Sequence, residues 1–180
     1  YGRDLLSRLI VGSRISISIG FVAVIISLLI GISLGSLAGF YGGWIDKLIL
    51  WLINVMWSIP TLLMVIAITL ALGRGFWQVF IAVGLTMWVE VARLVRGLVK
   101  STKEELYVQA GITLGFSKAR LLINHILPLL LAPLIVISTA NFASAILMES
   151  GLSFLGIGAQ PPIPSWGSMV TVSYTHLRAH

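Results

Sequence analysis

Long runs without a charged side chain constrain the fold of this chain more than any other feature. No charge falls within residues 15–45 or 48–73, and further apolar runs begin at Phe76 and Pro128. A bilayer core of about 30 Å needs about 20 helical residues, and inside it each backbone polar group must be satisfied by the protein itself. The sequence therefore predicts an all-α polytopic membrane protein, with four spans at about residues 15–40, 48–72, 76–98 and 127–148.

Composition argues against several other classes of protein. Charged residues make up 10% of the chain and its mean hydropathy is +1.03, whereas a soluble domain carries roughly a quarter charged residues. The net charge of +6 comes from basic residues beside the apolar runs, which favours anionic lipid headgroups over nucleic acid as the partner. Because the chain has no cysteine, a disulfide framework, a thiolate metal site and a cysteine nucleophile are excluded.

Small residues recur at every fourth position of the first span, at Ser27, Gly31, Gly35 and Gly39. Helix association in lipid depends on close packing, so a stripe of small residues favours the approach of a second helix. A glycine stripe could also line a pore, but helix packing is the favoured role.

The second and third runs contain residues that disturb a simple span. Pro60 lacks an N–H and is expected to kink the second span. Glu90 is expected to pair with Arg93 three residues on. A basic stripe along one face near the end of the third span, formed by Arg93, Arg96 and Lys100, is expected to be solvated and to face lipid.

A polar segment, residues 100–128, separates the third span from the fourth. Ser101 and Thr102 each have a glutamate three residues on, so either can serve as the N-cap of a capping box. The helix predicted from this start, residues 102–115, carries on one face Leu106, Gln109, Ala110 and Thr113.

A glycine predicts where this helix ends, and a proline predicts where the next one does. Gly115 is the predicted stop, because glycine readily adopts the left-handed conformation that ends helices. A second short helix is expected from about Ser117 to Pro128, whose missing N–H is harmless in a first turn. Lys103 is expected to be a solvated loop residue.

Basic residues are unequally divided between the two ends of the four spans. Seven lie on the side of the polar segment: Lys47, Arg93, Arg96, Lys100, Lys103, Lys118 and Arg120. Four lie on the other: Arg3, Arg8, Arg14 and Arg74. By the positive-inside rule the polar segment is cytoplasmic.

The polar segment resembles the "EAA" loop of the inner-membrane permease subunits of bacterial ABC importers. The residues that carry this resemblance are Glu105, Tyr107, Val108, Gln109, Ala110, Gly111, Gly115, His125 and Pro128. Gln109 stands in place of the glutamate that gives the loop its name, and Gly111 replaces its second alanine. The tyrosine-valine pair, and the stretches at residues 2–9, 38–46 and 149–167, are similar to the oligopeptide, dipeptide and nickel branch, in particular to the C-type permease of dipeptide importers.

This resemblance implies the transmembrane domain of a type I ABC importer, in a bacterial inner membrane, with four of the usual six spans. Residues 1–172 would belong to this domain and residues 100–126 would form its cytoplasmic coupling loop. Residues 173–180 are interpreted as a tail foreign to the family, and one span is expected before residue 1 and another after Trp166. Two ATPase subunits, a homologous permease and an extracytoplasmic solute-binding protein are the implied partners.

The same resemblance gives Gly111 and Gly115 mechanical roles in the loop. Gly111 is expected to let the ATPase approach the backbone, and Gly115 to permit the sharp turn. The chain carries no G-x-x-x-x-G-K-[ST] motif and no plausible pair of a nucleophile and a base. It is therefore interpreted as a non-enzyme without catalytic, cofactor or metal residues.

Two other classes of protein remain open at this stage. A secondary transporter or channel, in which the polar segment is only a solvated connector, would need ionisable residues deep in its spans. An intramembrane enzyme would need paired His, Asp or Glu side chains there, and only His125 comes near a span. The substrate cannot be read from the residues, because relatives with these motifs handle peptides, nickel complexes and glutathione.

Overall fold

A computed structural model describes residues 5–73 and 76–158, together with Trp166 and Met169. Every regular element in this part of the chain is helical, which confirms the predicted all-α class. The helices are α1 (Leu5–Tyr41), α2 (Gly43–Ser58), α3 (Thr61–Leu72), α4 (Phe76–Lys103), α5 (Leu106–Thr113), α6 (Lys118–Arg120) and α7 (Leu131–Phe154). A π-helical turn, Leu121–Ile126, and a 3₁₀ turn, Leu127–Leu130, join α6 to α7.

Among the described residues, three continuous helical stretches are long and apolar enough to cross a membrane: Ile10–Tyr41, Trp77–Lys103 and Lys118–Phe154. The pair of α2 and α3 makes a fourth if it is counted as one broken span. The helix breaks at Ile59 and Pro60, whose ψ angles of 128° and 125° are extended. Proline disfavours helical geometry in the residue before it, so the expected kink is a complete interruption.

The last long helix starts earlier than the sequence predicts, at Lys118 rather than near Pro128. Its first part is irregular, because the N–H of Leu127 reaches back five residues to the carbonyl of Leu122. Pro128 follows directly and has no N–H for the carbonyl of Asn124, so a regular α-helical ladder cannot continue there. A π-helical turn accommodates the interruption without ending the helix.

The chain folds into two compact units. Of the described residues, the first unit contains 5–26, 60–73, 76–86 and those from Ala140 onwards; the second is built from Ser27–Ile59 and Met87–Thr139. In the first unit Gly84 lies against the side chain of Ile26, and Gly20 lies against the ring of Phe142. The polar segment of the sequence belongs to the second unit.

Within the second unit, the C-terminal half of α1 packs against α4. A methyl group placed on Gly31 would lie 2.5 Å from Cβ of Val91, and one on Gly35 would lie 2.6 Å from the carbonyl oxygen of Ala92. The same group on Gly39 would lie 2.7 Å from the carbonyl oxygen of Arg96. No room is left for a side chain, so the small residues of the stripe set the distance between the two helices.

Candidate functional site

The start of α5 differs from the prediction. Helix α4 continues through Lys103, and the hydroxyl of Ser101 donates back to the carbonyl of Leu98 at 3.0 Å. Ser101 and Thr102 therefore lie in the last turn of α4, and the predicted capping box is wrong. Lys100 and Lys103 in that turn stabilise the negative end of the helix dipole, which favours a longer α4. The residue before α5 is instead Glu105, with an extended ψ of 143° and no side-chain cap.

The end of α5 is a Schellman motif. Gly115 has a φ of +79°, in the left-handed region that glycine adopts without strain. The N–H of Phe116 donates to the carbonyl of Gly111, and that of Gly115 donates to the carbonyl of Ile112, both at 3.0 Å. These two bonds satisfy carbonyls that a helix end otherwise leaves free. The turn therefore has a fixed geometry.

One face of α5 rests on the core of the second unit. Val108 is fully buried, in a cluster with Val99, Leu121 and Ile126. A methyl group on Gly111 would lie 2.7 Å from Cδ2 of Leu121 and 3.2 Å from the ring of Phe116. Gly111 is therefore approached closely by side chains of this chain, and its expected contact with an ATPase stays a prediction. Val108 and Gly111 anchor α5.

The opposite face of α5 presents apolar side chains outward. Leu106 is 87% exposed and Leu114 is 73% exposed, and Tyr107 is nearly half exposed. The residues predicted to share one face are all exposed in the structure: Leu106, Gln109, Ala110 and Thr113. The amide of Gln109 donates to the carbonyl of Lys103 at 2.9 Å and ties α5 to the end of α4. An apolar surface of this kind is a candidate docking site.

Glu105 lies at the N-terminal edge of this exposed apolar face. Glu105 is exposed and lies next to Tyr107. Partial burial first, and then the negative charge of Glu105, raise the pKa of Tyr107 above its usual range. The phenol therefore stays protonated at physiological pH and can donate a hydrogen bond.

His125 and Pro128 lie behind this surface. The ring of His125 stacks on that of Phe116, with ring centres 5.9 Å apart and planes at 14°. The guanidinium of Arg120 also lies over the Phe116 ring, at 4.4 Å. Pro128 is exposed, in the 3₁₀ turn that leads into α7. Through Phe116, His125 and Arg120 therefore support the turn after α5 rather than its outward face.

Two residues of the expected lipid-facing basic stripe on α4 instead contact α2. Arg96 forms an ion pair with Asp46, in which its Nη2 donates to Oδ2 at 2.7 Å. Arg93 lies 3.7 Å above the ring of Trp57 and donates to Asn54 at 3.3 Å. The expected pair of Glu90 and Arg93 is not among the ion pairs of the described residues. The prediction is wrong for Arg96, which is partly buried against Asp46, and incomplete for Arg93, whose partners Asn54 and Trp57 only the fold brings near; Lys100 is exposed, as predicted.

Lys103 is not the solvated residue that the sequence suggested. Its ammonium donates to the carbonyl of Phe40 at 2.7 Å and lies 5.3 Å from the centre of the Phe40 ring. This contact ties the C-terminal end of α4 to that of α1. A local pattern could not reveal it, because the two residues are 63 positions apart.

Sequence analysis also missed a buried carboxyl group in the first unit. Glu149 is 1% exposed, and its Oε1 accepts a hydrogen bond from the hydroxyl of Ser153 at 2.6 Å. Its other oxygen has no partner among the described residues. Spacing gave a signal for this pair, because residues four apart share one helix face. Among the described residues, no three His, Asp or Glu side chains lie together as the ligands of a metal ion would.

Comparison with known proteins gives a family match over most of the chain. Residues 27–177 match the family described as binding-protein-dependent transport system inner membrane component; the match extends into the tail that the sequence analysis set aside. The chain is 42% identical, over 94% of its length, to the oligopeptide transport system permease protein OppC of Bacillus subtilis. It is 42% identical, over 96% of its length, to the dipeptide transport system permease protein DppC of Alkalihalophilus pseudofirmus.

A third relative has a different named substrate. The glutathione transport system permease protein GsiD of Pectobacterium atrosepticum is 37% identical over 94% of the chain. The chain spans 56%, 57% and 56% of the length of these three relatives.

Proposed function

Because the chain belongs to the family of binding-protein-dependent transport system inner membrane components, we propose that it is a membrane-spanning permease subunit of an ATP-driven importer. Membership of this family identifies its helices as those of an ABC importer transmembrane domain in a bacterial inner membrane. The substrate class proposed is peptides, or nickel or related small solutes. The names of two relatives, which specify oligopeptide and dipeptide transport, support the first of these.

The proposed coupling element is α5 together with its turn. The observation that carries this proposal is the exposed apolar face, on which Leu106 is 87% exposed and Leu114 is 73% exposed. Lipid does not cover these side chains if the segment is cytoplasmic, as the distribution of basic residues predicts. An exposed apolar surface on a short loop between two spans is suited to a protein partner, here a cytoplasmic ATPase subunit.

The geometry of α5 also suits transmission of movement. Val108 and Gly111 anchor the helix in the core, and Gln109 ties it to the last residue of α4. Lys118, just beyond the Schellman turn, begins the long helical stretch that continues to Phe154. A partner that displaces α5 would therefore move the ends of two spans together, as an interface-driven switch requires.

The remaining proposed partners follow from the architecture of such importers. A homologous permease would complete the translocation path, two ATPase subunits would supply the ATP chemistry, and an extracytoplasmic binding protein would deliver the solute. The sequence carries no phosphate-binding loop of the G-x-x-x-x-G-K-[ST] type. In this proposal, ATP is hydrolysed on the separate ATPase subunits.

Truncation of the exposed leucines tests the coupling proposal. Leu106→Ser and Leu114→Ser each remove an apolar contact, and loss of an interface hot spot costs about 2 kcal/mol or more, or roughly 30-fold in affinity. We expect ATP hydrolysis stimulated by the binding protein, and solute transport, to fall together in proteoliposomes of the full complex. Insertion into the membrane should not change, because it depends on the spans.

Glu104→Gln serves as the control within the same loop. Glu104 is exposed and contributes at most a few tenths of a kcal/mol, so both activities should stay near the unsubstituted level. Normal stimulation and transport in both leucine variants would show that Leu106 and Leu114 do not contact the ATPase subunits, and it would overturn α5 as the coupling element.

A further inference from the structure

A cavity of about 340 Å³ lies beside α5, within the second unit. Its walls are mainly apolar and aromatic, from Phe40, Tyr41, Ile112, Phe116 and Leu121. Two cationic side chains, Lys103 and Lys118, complete the lining, and no carboxylate is part of it. The cavity therefore combines an apolar interior with two positive charges.

The position of this cavity along the spans is defined by its own lining residues. Tyr41 is the last residue of the first apolar stretch, Lys103 is the last residue of the stretch formed by α4, and Lys118 is the first residue of the final stretch. Three helices that can cross a membrane thus begin or end at the cavity. Tyrosine and lysine side chains at the ends of apolar helices are typical of the membrane interface.

The two ammonium groups retain binding capacity. Lys103 uses one of its three N–H donors on the carbonyl of Phe40. The ammonium of Lys118 lies 5.2 Å from the centre of the Tyr41 ring. Neither lysine forms an ion pair within residues 5–73 and 76–158. Both charges are therefore held in place by neutral groups and remain able to bind an anion.

We propose that this cavity is a binding site for an anionic phospholipid. The phosphate oxygens accept hydrogen bonds from Lys103 and Lys118, and the glycerol backbone and first methylene groups pack against Phe40, Ile112 and Phe116. A free anion would satisfy the lysines but would leave the apolar walls uncovered. A zwitterionic lipid would cover the apolar walls, but its own ammonium group would lie beside the two lysines and would be repelled by them. Only an anionic amphiphile satisfies both parts of the cavity.

The site also places a lipid in contact with α5. Ile112 belongs to α5, and Phe116 forms part of its Schellman turn. An occupied cavity would brace the turn against the ends of α1 and α4. This inference stands on the cavity alone and does not depend on what docks on the opposite face of α5.

Native mass spectrometry of the detergent-purified protein tests the proposal. The probes are dioleoyl phosphatidylglycerol, dioleoyl phosphatidylcholine, the deacylated headgroup glycerophosphoglycerol, and inorganic phosphate. Each lysine near an anionic headgroup changes affinity roughly fivefold. We therefore expect phosphatidylglycerol to bind about 25-fold more tightly than phosphatidylcholine, and the two probes without acyl chains to bind far more weakly than phosphatidylglycerol.

Charge-matched variants separate this site from general attraction to a basic protein. Lys118→Gln should reduce the preference for phosphatidylglycerol about fivefold, and Lys103→Gln with Lys118→Gln should abolish it. Lys47→Gln removes the same charge from an exposed lysine that does not line the cavity and should leave the preference intact. Lys118 makes no hydrogen bond that the fold needs among those described, so the single variant reports binding even if the double variant is unstable.

Two results would overturn the proposal. An equal loss of preference in Lys47→Gln and Lys118→Gln would show that net charge alone attracts the lipid. Binding of glycerophosphoglycerol or phosphate as tightly as phosphatidylglycerol would show that the cavity is a site for a soluble anion and has no use for acyl chains.

Discussion

Two glycine-containing regions of the second unit are close-packed for different reasons. Where α1 meets α4, a methyl group on Gly35 would lie 2.6 Å from the backbone carbonyl oxygen of Ala92. At α5, a methyl group on Gly111 would lie 2.7 Å from Cδ2 of Leu121, the far end of a side chain. The two distances are nearly equal, but the atoms that they involve differ in how easily they can move.

This difference separates a fixed contact from an adaptable one. A backbone oxygen cannot move without shifting its helix, whereas a leucine side chain can change its rotamer. Interiors are packed densely enough that a single added carbon is felt. We therefore expect the contact between α1 and α4 to determine whether the unit folds, and the anchorage of α5 to tolerate modest change. The three predictions below test this contrast.

The largest effect is expected for Gly35→Val. Its side chain would meet the carbonyl oxygen of Ala92 and Cβ of Val95, at 2.6 and 2.8 Å from the added Cβ, so α1 and α4 must separate. Overpacking costs about 1–3 kcal/mol and sometimes more, and displacement of a backbone belongs at the upper end. Unfolding in detergent can be followed by the fluorescence of the 6 tryptophans; we expect a strongly lowered Tm, or no folded protein.

Gly97→Val is the matched control for this substitution. Gly97 lies in the partner helix α4, and a methyl group there would have no neighbour within 4 Å. Valine has a somewhat better helix propensity than glycine, by a few tenths of a kcal/mol, so stability should be unchanged or slightly higher. Equal stability of the two variants would mean that the glycine stripe does not hold α1 against α4.

The same contrast explains which parts of the structure the sequence could predict. The packing role of Gly31, Gly35 and Gly39 could be predicted because it depends on the period of a helix, which is a local property. The turn at Gly115 was visible because a left-handed residue strongly favours glycine. Both predictions needed only the chain near the residue concerned.

The predictions that failed concerned partners distant in sequence. Arg96 pairs with Asp46, 50 positions away, and Lys103 bonds to the carbonyl of Phe40, 63 positions away. No periodic pattern links such residues, because the fold alone brings them together. The capping box failed for a related reason: Ser101 and Thr102 fit two helical roles, and the favourable dipole interactions of Lys100 and Lys103 extend α4 past them.

A smaller and more specific effect is expected for Gly115→Val. Gly115 has a φ of +79°, and a β-branched residue there costs on the order of 1–3 kcal/mol. A methyl group at this position has no neighbour within 4 Å, so the strain is confined to the turn after α5. We expect insertion and pairing with the partner permease to persist. Transport and stimulated ATP hydrolysis should fall together in proteoliposomes of the full complex.

Gly115→Asn distinguishes backbone strain from other effects of a side chain at this turn. Asparagine visits the left-handed region more readily than other residues with a side chain, so it should restore most of the coupling that valine removes. Loss of coupling in both variants to the same extent would show that the side chain, and not the backbone angle, is responsible. Normal coupling in the valine variant would remove the turn from the proposed mechanism.

The smallest effect is expected for Gly111→Ala, because two opposing contributions nearly cancel. Alanine favours a helix over glycine by up to about 1 kcal/mol. The added methyl group would meet Cδ2 of Leu121 at 2.7 Å, and moving that side chain off its rotamer costs about 0.5–1.5 kcal/mol. We expect the Tm to change by no more than about 2 °C. Gly35→Ala introduces the same methyl group against the carbonyl oxygen of Ala92, and it should lower the Tm by several degrees more. An equal loss in both variants would show that Leu121 is as immobile as a backbone, and α5 would then be anchored as rigidly as α1 is against α4.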